Sequence, residues 1–273
     1  MGRVYASMGF HSIPFSLTPD TSLAYPGAQY VNAYKQLYFA CTTGGLGVLT
    51  AEVGLGKTLL VRCLIRALPD HMRVAYIINP LLDGPELLSA ILDELSPQSP
   101  PESVPQPEPR QALVKHVTEG AQQGLRYVVI VDEAHRLSAE ALETLRLLSN
   151  VETERIKLIS LILVGQPELN KTLALRAMRP LRERIGVWSR LFPMTRDDCF
   201  AYVQHRLRRC HQDGSVVVSK AALAILHWRT QGVPRRVNLA CERAILKAGL
   251  TGKRHVSWAD MWSACREFGH VWR

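Results

Sequence analysis

The sequence lacks several features that would each indicate a particular class of protein. Its six cysteines, at positions 41, 63, 199, 210, 241 and 265, form neither a CxxC pair nor a Cys/His pattern with metal-ligand spacing. No run approaches the about 18 consecutive apolar residues that a membrane span requires, and the first residues lack the apolar core of a signal peptide. A myristoylation motif is also missing, because Ala6 stands where that motif has Ser or Thr. These absences predict a cytoplasmic chain with reduced thiols and no membrane span.

The charge is unevenly distributed along the chain. Residues 1–170 contain 13 basic and 17 acidic side chains, whereas residues 171–273 contain 20 and 7, so their net charges are −4 and +13 against +9 overall. A charged fraction of 21% and an apolar fraction of 47% are typical of globular proteins, and they argue against a disordered, collagenous or coiled-coil protein. A length of 273 residues predicts one large α/β domain, alone or with a small partner domain.

Short apolar segments alternate with helical periodicity through the first part of the chain, which predicts an α/β fold with a parallel sheet covered on both faces. The expected strands are 46–50, 73–79, 126–131 and 157–164, and the helices among them are 29–41, 57–68, 85–95 and 139–148. Beyond Pro193 only helices are expected, at about 195–210, 219–230, 234–247 and 257–268. We therefore predict an N-terminal segment and helix packing on the core (1–45), an α/β core (46–193) and a helical lid (194–273). A Pro-rich surface insertion is expected at 96–109.

Residues 51–58, Ala-Glu-Val-Gly-Leu-Gly-Lys-Thr, lie between a predicted strand and a predicted helix. A phosphate-binding loop occupies this position, because small residues let successive backbone N–H groups surround a phosphate at a helix N-terminus. Lys57 is expected to bridge the β- and γ-phosphates, and the Thr58 hydroxyl to bind Mg²⁺. A glycine-rich turn without a ligand is the alternative interpretation, and Ala51 replaces the glycine of the strict pattern. The predicted nucleotide contacts are Ala51, Glu52, Val53, Gly54, Leu55, Gly56, Lys57, Thr58 and Leu59.

A second motif follows 74 residues after Thr58, where the apolar segment 127–131 ends in Asp132 and Glu133. Asp132 is expected to hold Mg²⁺ and Glu133 to polarise an attacking water, as in phosphoryl transfer. Acids at a strand end are otherwise often solvated turn residues or helix caps, but the preceding phosphate-binding loop favours the catalytic interpretation. His135, two residues further on, receives no catalytic role.

Polar residues also follow two other predicted strands. Asn79 and Gln166 stand where ligands of open α/β sheets bind, so these amides can hold water or contact a γ-phosphate. Capping of the next helix is an equally good interpretation of both. Phosphoryl transfer also needs a planar, permanently charged donor. The candidates are Arg182, Arg184, Arg235 and Arg236, each of which has a solvated surface role as its alternative.

Together these motifs resemble those of AAA+ ATPases, and more narrowly those of the ExeA/GspA group of secretion ATPases. The short relatives in that group include the MshM proteins of mannose-sensitive (MSHA) pilus assembly. The resemblance covers nearly the whole chain. Its specific strings are Leu-Ser-Asn at 148–150 and Gly-Gln-Pro-Glu-Leu at 165–169, whereas the two Walker motifs are shared with many unrelated NTPases. Further matching segments are 13–20, 181–185 and 232–238.

The resemblance implies a P-loop NTPase fold of the AAA+ type, a parallel sheet flanked by helices and followed by a small all-α lid. It implies ATP and Mg²⁺ as cofactors. Asn79 would restrain Glu133 as a glutamate switch, and Gln166 and Arg235 would be the first and second sensors of the γ-phosphate. Arg184 would be a finger that reaches into a neighbouring subunit.

Two further expectations come from the resemblance. Phe15 stands where the N-terminal segment of AAA+ proteins lies against the adenine, although an apolar anchor on the core explains it equally well. The larger ExeA-type proteins continue into a membrane helix and a peptidoglycan-binding domain. Since this sequence ends at Arg273, we expect a cell-wall role to need a partner protein.

Three functions are compatible with these residues. The first is an ATP-driven assembly factor, cytoplasmic or peripheral at the inner face of the cytoplasmic membrane, for a secretin, a type IV or MSHA-like pilus, or a type II secretion machine. Its expected partners are further copies of itself, in a ring or other homo-oligomer, and an inner-membrane protein. The second is a DNA-binding regulator of transposition similar to TnsC, TniB or MuB, whose basic lid binds nucleic acid. The third is a nucleotide-dependent scaffold with negligible turnover. The group-specific strings favour the first.

Overall fold

A computed structural model describes residues 2–78, 82–96, 108–152, 156–211 and 216–269. Asn79 and most of the predicted insertion 96–109 lie outside these residues. The strands are β1 Leu46–Thr50, β2 Met72–Ile77, β3 Arg126–Val131, β4 Ile159–Gly165, β5 Ile185–Arg190, β6 Val217–Val218 and β7 His255–Val256. The helices are α1 Gly2–Ser7, α2 Ala28–Thr43, α3 Lys57–Ala67, α4 Gly84–Leu95, α5 Pro109–Gln122, α6 Ala139–Leu148, α7 Glu168–Ala174, α8 Arg179–Arg182, α9 Arg196–Cys210, α10 Lys220–Thr230, α11 Pro234–Leu250 and α12 Trp258–Glu267.

Five parallel strands form the main sheet, in the order β2-β3-β4-β1-β5. The central strands β1 and β4 are buried along their whole length, whereas the edge strand β5 alternates between more exposed and less exposed positions. This burial explains why the predicted strands read as continuous apolar runs, since a strand covered on both faces has no polar side. The predicted parallel α/β class is confirmed.

The chain divides into two units, which we call the sheet unit and the helical unit. The sheet unit contains residues 29–52 and 60–191, and the helical unit contains 1–28, 53–59 and 192–273. We expected residues 1–45 to pack on the sheet core, but the structure assigns 1–28 to the helical unit. Apolar side chains of this segment, among them Phe10 and Leu23, lie in the same buried cluster as residues of α9, α10, α11 and α12.

Helix boundaries in the helical unit follow capping signals. The Thr195 side chain accepts a hydrogen bond from the backbone N–H of Asp198 at the start of α9. At the start of α10, the Ser219 side chain accepts one from the backbone N–H of Ala222. At α12, Ser257 and Asp260 form a reciprocal capping box. Each such cap contributes about 0.5–2 kcal/mol relative to alanine. The predicted starts of these helices therefore lie within a residue or two of the observed ones.

Some elements escaped the sequence analysis. Helix α1 was missed because six residues are too few to display a helical period. Helix α5 was missed because it follows the Pro-rich segment, begins at Pro109 and buries few positions, including Leu113 and Val117. Proline suits the first turn of a helix, where its missing N–H costs no hydrogen bond.

Candidate active site

The sheet topology brings three strand ends to one edge of the sheet unit. Thr50 at the end of β1 pairs with Gly165 at the end of β4, and the Ala51 N–H donates to the Gly165 carbonyl at 3.1 Å. Val131 at the end of β3 pairs with Leu163 of β4. The segments that begin at residues 51, 132 and 166 therefore leave the sheet side by side. Ligands of open parallel sheets bind at such an edge.

The loop after β1 has the backbone conformation of a phosphate-binding loop. Gly54 and Gly56 have φ angles of 83° and 89°, in the left-handed region that side chains other than glycine's rarely adopt. Helix α3 begins immediately afterwards at Lys57, so its N-terminal N–H groups and the positive end of its dipole follow the loop. Lys57 is buried at 7% exposure and Thr58 is half-buried. The residues fit an anionic phosphate group.

A contact within the helical unit constrains the same loop. The backbone N–H of Arg235, in the first turn of α11, donates to the Gly54 carbonyl at 3.1 Å. A Cβ added at Gly54 would lie 2.9 Å from the Arg235 Cβ and 3.3 Å from a methyl carbon of Val233. Gly54 is therefore required both by its φ angle and by the close approach of α11. Sequence reasoning predicted a role for the Arg235 side chain but not this backbone bond.

The turn before α11 is itself fixed by a glycine. Gly232 has a φ of 69°, and a Cβ added there would collide with the Met194 carbonyl. The Met194 N–H in turn donates to the Gly232 carbonyl at 2.9 Å. The Gly-Val-Pro-Arg string at 232–235 thus sets where α11 begins.

Asp132 is a buried carboxylate held in one orientation. Its exposure is 4%. Its Oδ2 accepts from the Tyr76 hydroxyl at 2.9 Å, and its Oδ1 accepts from the Glu133 N–H at 2.9 Å. Burial, followed by the neighbouring Asp132 carboxylate, raises the pKa of Tyr76 well above its usual value, so Tyr76 remains a donor. Sequence reasoning missed Tyr76, which lies within a strand with no motif to mark it.

The Asp132 carboxylate is suited to Mg²⁺ together with a phosphate. Mg²⁺ commonly uses one or two carboxylates plus phosphate oxygens and keeps several waters. Within the described part of the chain, no three His, Cys, Asp or Glu side chains form a group able to hold a metal ion. A site in which Asp132 is the carboxylate ligand and nucleotide phosphates supply further oxygens needs no such group.

Glu133 has an unusual backbone conformation and a partly open side chain. Its φ and ψ of 53° and 30° are left-handed, which costs a residue other than glycine about 1–2 kcal/mol. Its side chain is 37% exposed and makes no cap bond to the following 3₁₀ turn. The Gln166 Nε2 donates to Glu133 Oε2 at 3.4 Å. The helix-cap alternative for Glu133 therefore does not describe its contacts.

His135 joins Glu133 and Gln166, although sequence reasoning gave it no role. Its Nε2 lies 3.6 Å from Glu133 Oε2 and 3.2 Å from the Gln166 Nε2, and the Gln166 backbone N–H donates to its Nδ1 at 3.4 Å. No side-chain hydrogen bond from Gln166 caps α7. The Gln166 side chain instead faces the residues that follow β3.

The candidate arginines differ in their surroundings. The Arg182 Nη1 donates to the carbonyls of Leu173 and Ala174, both at 3.0 Å, so its guanidinium serves the local structure. Arg184 is exposed and has no side-chain hydrogen bond or ion pair within the described ranges. Arg235 is exposed and Arg236 half-buried. These differences favour Arg184 over Arg182 as a group available to a neighbouring molecule.

Phe15 is fully buried in the apolar cluster of the helical unit, with 0% exposure. The preceding carbonyl, that of Pro14, accepts from Arg206 Nη1 at 2.9 Å, and Arg206 is itself 3% exposed. The Arg206 guanidinium also lies over the Tyr202 ring at 5.2 Å. These contacts anchor Phe15 in the helical unit and not on the sheet core as expected, and its contact with adenine stays a prediction.

Comparison with known proteins agrees with this geometry. Residues 41–173 match the family model described as an AAA domain. General secretion pathway protein A of Aeromonas hydrophila is 37% identical over 267 residues, which are 96% of this chain and 48% of that protein. The chain thus spans about half the length of this relative. In the part of the chain that the structure describes, no helix combines the length and apolarity needed to cross a membrane.

Solved structures of low sequence identity share the fold. Cdc6p from Pyrobaculum aerophilum superposes with a TM-score of 0.73 at 20% identity, covering 93% of this chain and 70% of that one. The Aeropyrum pernix ORC1 protein, solved in complex with DNA, gives 0.66 at 18% identity, covering 96% and 70%. With its five-stranded parallel sheet, its glycine loop and a helical C-terminal region, this chain has the fold of the P-loop AAA+ ATPases.

Proposed function

We propose that this chain binds ATP with Mg²⁺ at residues 51–59 and hydrolyses it. The observation that carries the proposal is the row of strand ends in the sheet unit. The glycine loop follows β1, Asp132 and Glu133 follow β3, and Gln166 follows β4. The ends of these three strands lie at the same edge of the sheet. Phosphate-binding backbone, a metal carboxylate and a partly exposed carboxylate are the parts that phosphoryl transfer to water requires.

Each residue has a separate task in this proposal. The loop N–H groups and Lys57 hold the β- and γ-phosphates, and Thr58 and Asp132 hold Mg²⁺, with Asp132 oriented by Tyr76. Bound Mg²⁺ supplies positive charge that offsets the charge developing on the phosphate oxygens. Glu133 orients the attacking water and accepts its proton.

Two arginines and two amides complete the proposed site. Gln166 contacts the γ-phosphate side of the site, and Arg235 reports the same phosphate to the helical unit, where its backbone already binds the Gly54 carbonyl. Arg184 acts on the γ-phosphate of a neighbouring copy of the chain. Asn79 restrains Glu133.

Lys57→Ala tests the nucleotide site directly. Removing a buried ammonium that contacts phosphates is expected to weaken ATP binding by at least about 10- to 100-fold. Titration calorimetry of wild type and variant measures the effect. Lys171→Ala, which removes an exposed lysine of α7, is the matched control and should bind like wild type. Full ATP affinity in Lys57→Ala would contradict the assignment of the loop as the nucleotide-binding site.

We further propose that ATP turnover drives assembly of a secretin, pilus or type II secretion machine at the inner face of the cytoplasmic membrane. The supporting observation is the 37% identity with General secretion pathway protein A. The proposal includes an ATP-dependent homo-oligomer and an inner-membrane partner. The MshM-like, pilus-specific form of this role is the narrower variant of the same proposal. Sedimentation velocity with and without ATP tests the oligomer, and an unchanged sedimentation coefficient would argue against it.

Duplex DNA is the alternative partner, as in the regulators of transposition. The supporting observation is that Arg208, Arg209 and Arg243 are exposed on helices of a unit rich in positive charge. Binding of duplex DNA over a salt series, with and without ATP, distinguishes the alternatives. An ATP-dependent affinity that falls steeply with salt would favour DNA, because each neutralised phosphate releases counterions. The ATP turnover of the wild-type chain separates both functions from a scaffold without hydrolysis.

A further inference from the structure

His135 lies in the short 3₁₀ turn that follows β3, between two residues of the proposed site. Its side chain is 14% exposed, compared with 37% for Glu133. The ring is thus largely enclosed, and the groups at its two nitrogens come from Gln166 and Glu133. The turn residue Ala134 beside it is buried at 1% exposure, which fixes the backbone from which the ring projects.

The ring has more donors facing it than it can accept from at one time. A neutral imidazole has one donor and one acceptor nitrogen. Gln166 offers two donors, its backbone N–H at 3.4 Å from Nδ1 and its amide Nε2 at 3.2 Å from the ring Nε2. When Nδ1 accepts the backbone N–H, the proton resides on Nε2, which then faces Glu133 Oε2 at 3.6 Å. When Nε2 instead accepts a hydrogen bond from the Gln166 amide, the ring proton is on Nδ1, and Nε2 has no proton to donate to Glu133.

Both neighbours act on the same carboxylate oxygen. Glu133 Oε2 accepts from the Gln166 amide at 3.4 Å and faces His135 at 3.6 Å. Over the ranges that the structure describes, Oε1 of Glu133 has no hydrogen-bond partner. Both contacts therefore fall on one carboxylate oxygen, which leaves the other available to a water molecule.

We propose that His135 is a positioning residue that couples the orientation of the Gln166 amide to that of the Glu133 carboxylate. The inference rests on the proposed ATPase activity, in which Glu133 orients the attacking water. A change in the Gln166 side chain, such as contact with a γ-phosphate, changes which ring nitrogen accepts and thereby whether His135 donates to Glu133. His135 itself does not touch the nucleotide.

Two conservative variants separate the two ring nitrogens. His135→Gln places an amide near the position of Nε2, so it keeps a donor toward Glu133, whereas His135→Asn reaches only the position of Nδ1. We expect His135→Ala to lower kcat by about 10- to 100-fold, in the range found for groups that orient a ligand or catalytic residue. KM for ATP should stay within about twofold, because ground-state binding is untouched. His135→Gln should recover most of kcat and His135→Asn should not.

His71→Ala removes an exposed histidine and should leave kcat unchanged. A kcat of His135→Ala within about twofold of wild type would overturn the inference. So would a loss that His135→Gln does not recover, or one accompanied by an equal rise in KM.

A thermal measurement keeps this inference separate from the proposed function. If wild type shows no turnover, the ATPase proposal fails, and the contact is then tested by the melting temperatures of His135→Ala, Gln166→Ala and the double variant. Coupled residues should give losses that are smaller together than their sum. Additive losses would overturn the coupling in either case.

Discussion

Asp132 and Glu133 are adjacent in the chain, yet their surroundings suit them to different tasks. Asp132 is buried and accepts from Tyr76 and from a backbone N–H, which fixes its carboxylate. Glu133 has a left-handed backbone, and its side chain stays partly exposed. A fixed carboxylate suits a metal ion, and a partly open one suits a water molecule.

Tyr76→Phe tests the orientation of Asp132. Loss of the hydroxyl leaves Oδ2 without that donor, so we expect the free energy of unfolding to fall by about 1–3 kcal/mol. The affinity for Mg²⁺ with ATP should fall by about 10- to 100-fold, while ATP binding without Mg²⁺ changes little. Tyr127→Phe is the matched control, because that buried hydroxyl on the next strand bonds the His116 carbonyl instead. Equal Mg²⁺ affinity in both variants would contradict the role of Tyr76.

At the scale of elements, the glycine loop depends on more than its own sequence. Gly54 needs its left-handed φ, and it also lies against the first turn of α11. The sequence predicts the first requirement, since a phosphate-binding loop must turn at small residues. The second requirement joins residues 181 positions apart in the chain, 54 and 235, and only the folded helical unit reveals it.

Other elements show the same division between local and long-range information. Strands β1 and β3 and helix α6 were predicted with their observed ends, because apolar runs and helical spacing are local signals. Asp132, Glu133 and Gln166 were likewise predicted to follow strands, and in the structure each does, while their roles stay predictions. Tyr76 and His135 were not assigned roles, because each depends on a partner that another strand end brings close.

Gly54→Ala tests the loop as an element. The left-handed φ alone is expected to cost about 1–2 kcal/mol of stability. Gly124→Ala is the control, because Gly124 has a φ of 80° but nothing within 4 Å of an added Cβ. We expect both variants to lose thermal stability but only Gly54→Ala to lose ATP affinity. Unchanged nucleotide binding in Gly54→Ala would show that the contact with α11 does not shape the loop.

Across the whole molecule, the uneven charge corresponds to a separation of the acidic and the basic residues of the proposed site. The acidic side chains of the proposed chemistry lie in residues 1–170, and the arginines proposed to act on the γ-phosphate lie in the basic remainder. Arg182 is engaged by local carbonyls, whereas Arg184 is exposed. If Arg184 acts on the nucleotide of a neighbouring copy, as proposed, hydrolysis depends on assembly.

Mixing two inactive variants tests that dependence. Arg184→Ala lacks the donor and Glu133→Gln lacks the base, so mixed assemblies should contain sites with both groups present and regain part of the turnover. Arg182→Ala is the control. This variant should lose thermal stability, and mixing it with Glu133→Gln should not raise its turnover. If no ratio of the two inactive variants restores activity, Arg184 does not act on a neighbour's nucleotide.

The turnover of Glu133→Gln, measured beside its ATP affinity, tests the proposed site most directly. We expect ATP binding close to that of wild type and hydrolysis at least about 100-fold slower, because the amide cannot accept a proton from water. Turnover equal to that of wild type, in a variant that still binds ATP, would contradict the assignment of Glu133 and with it the proposed site.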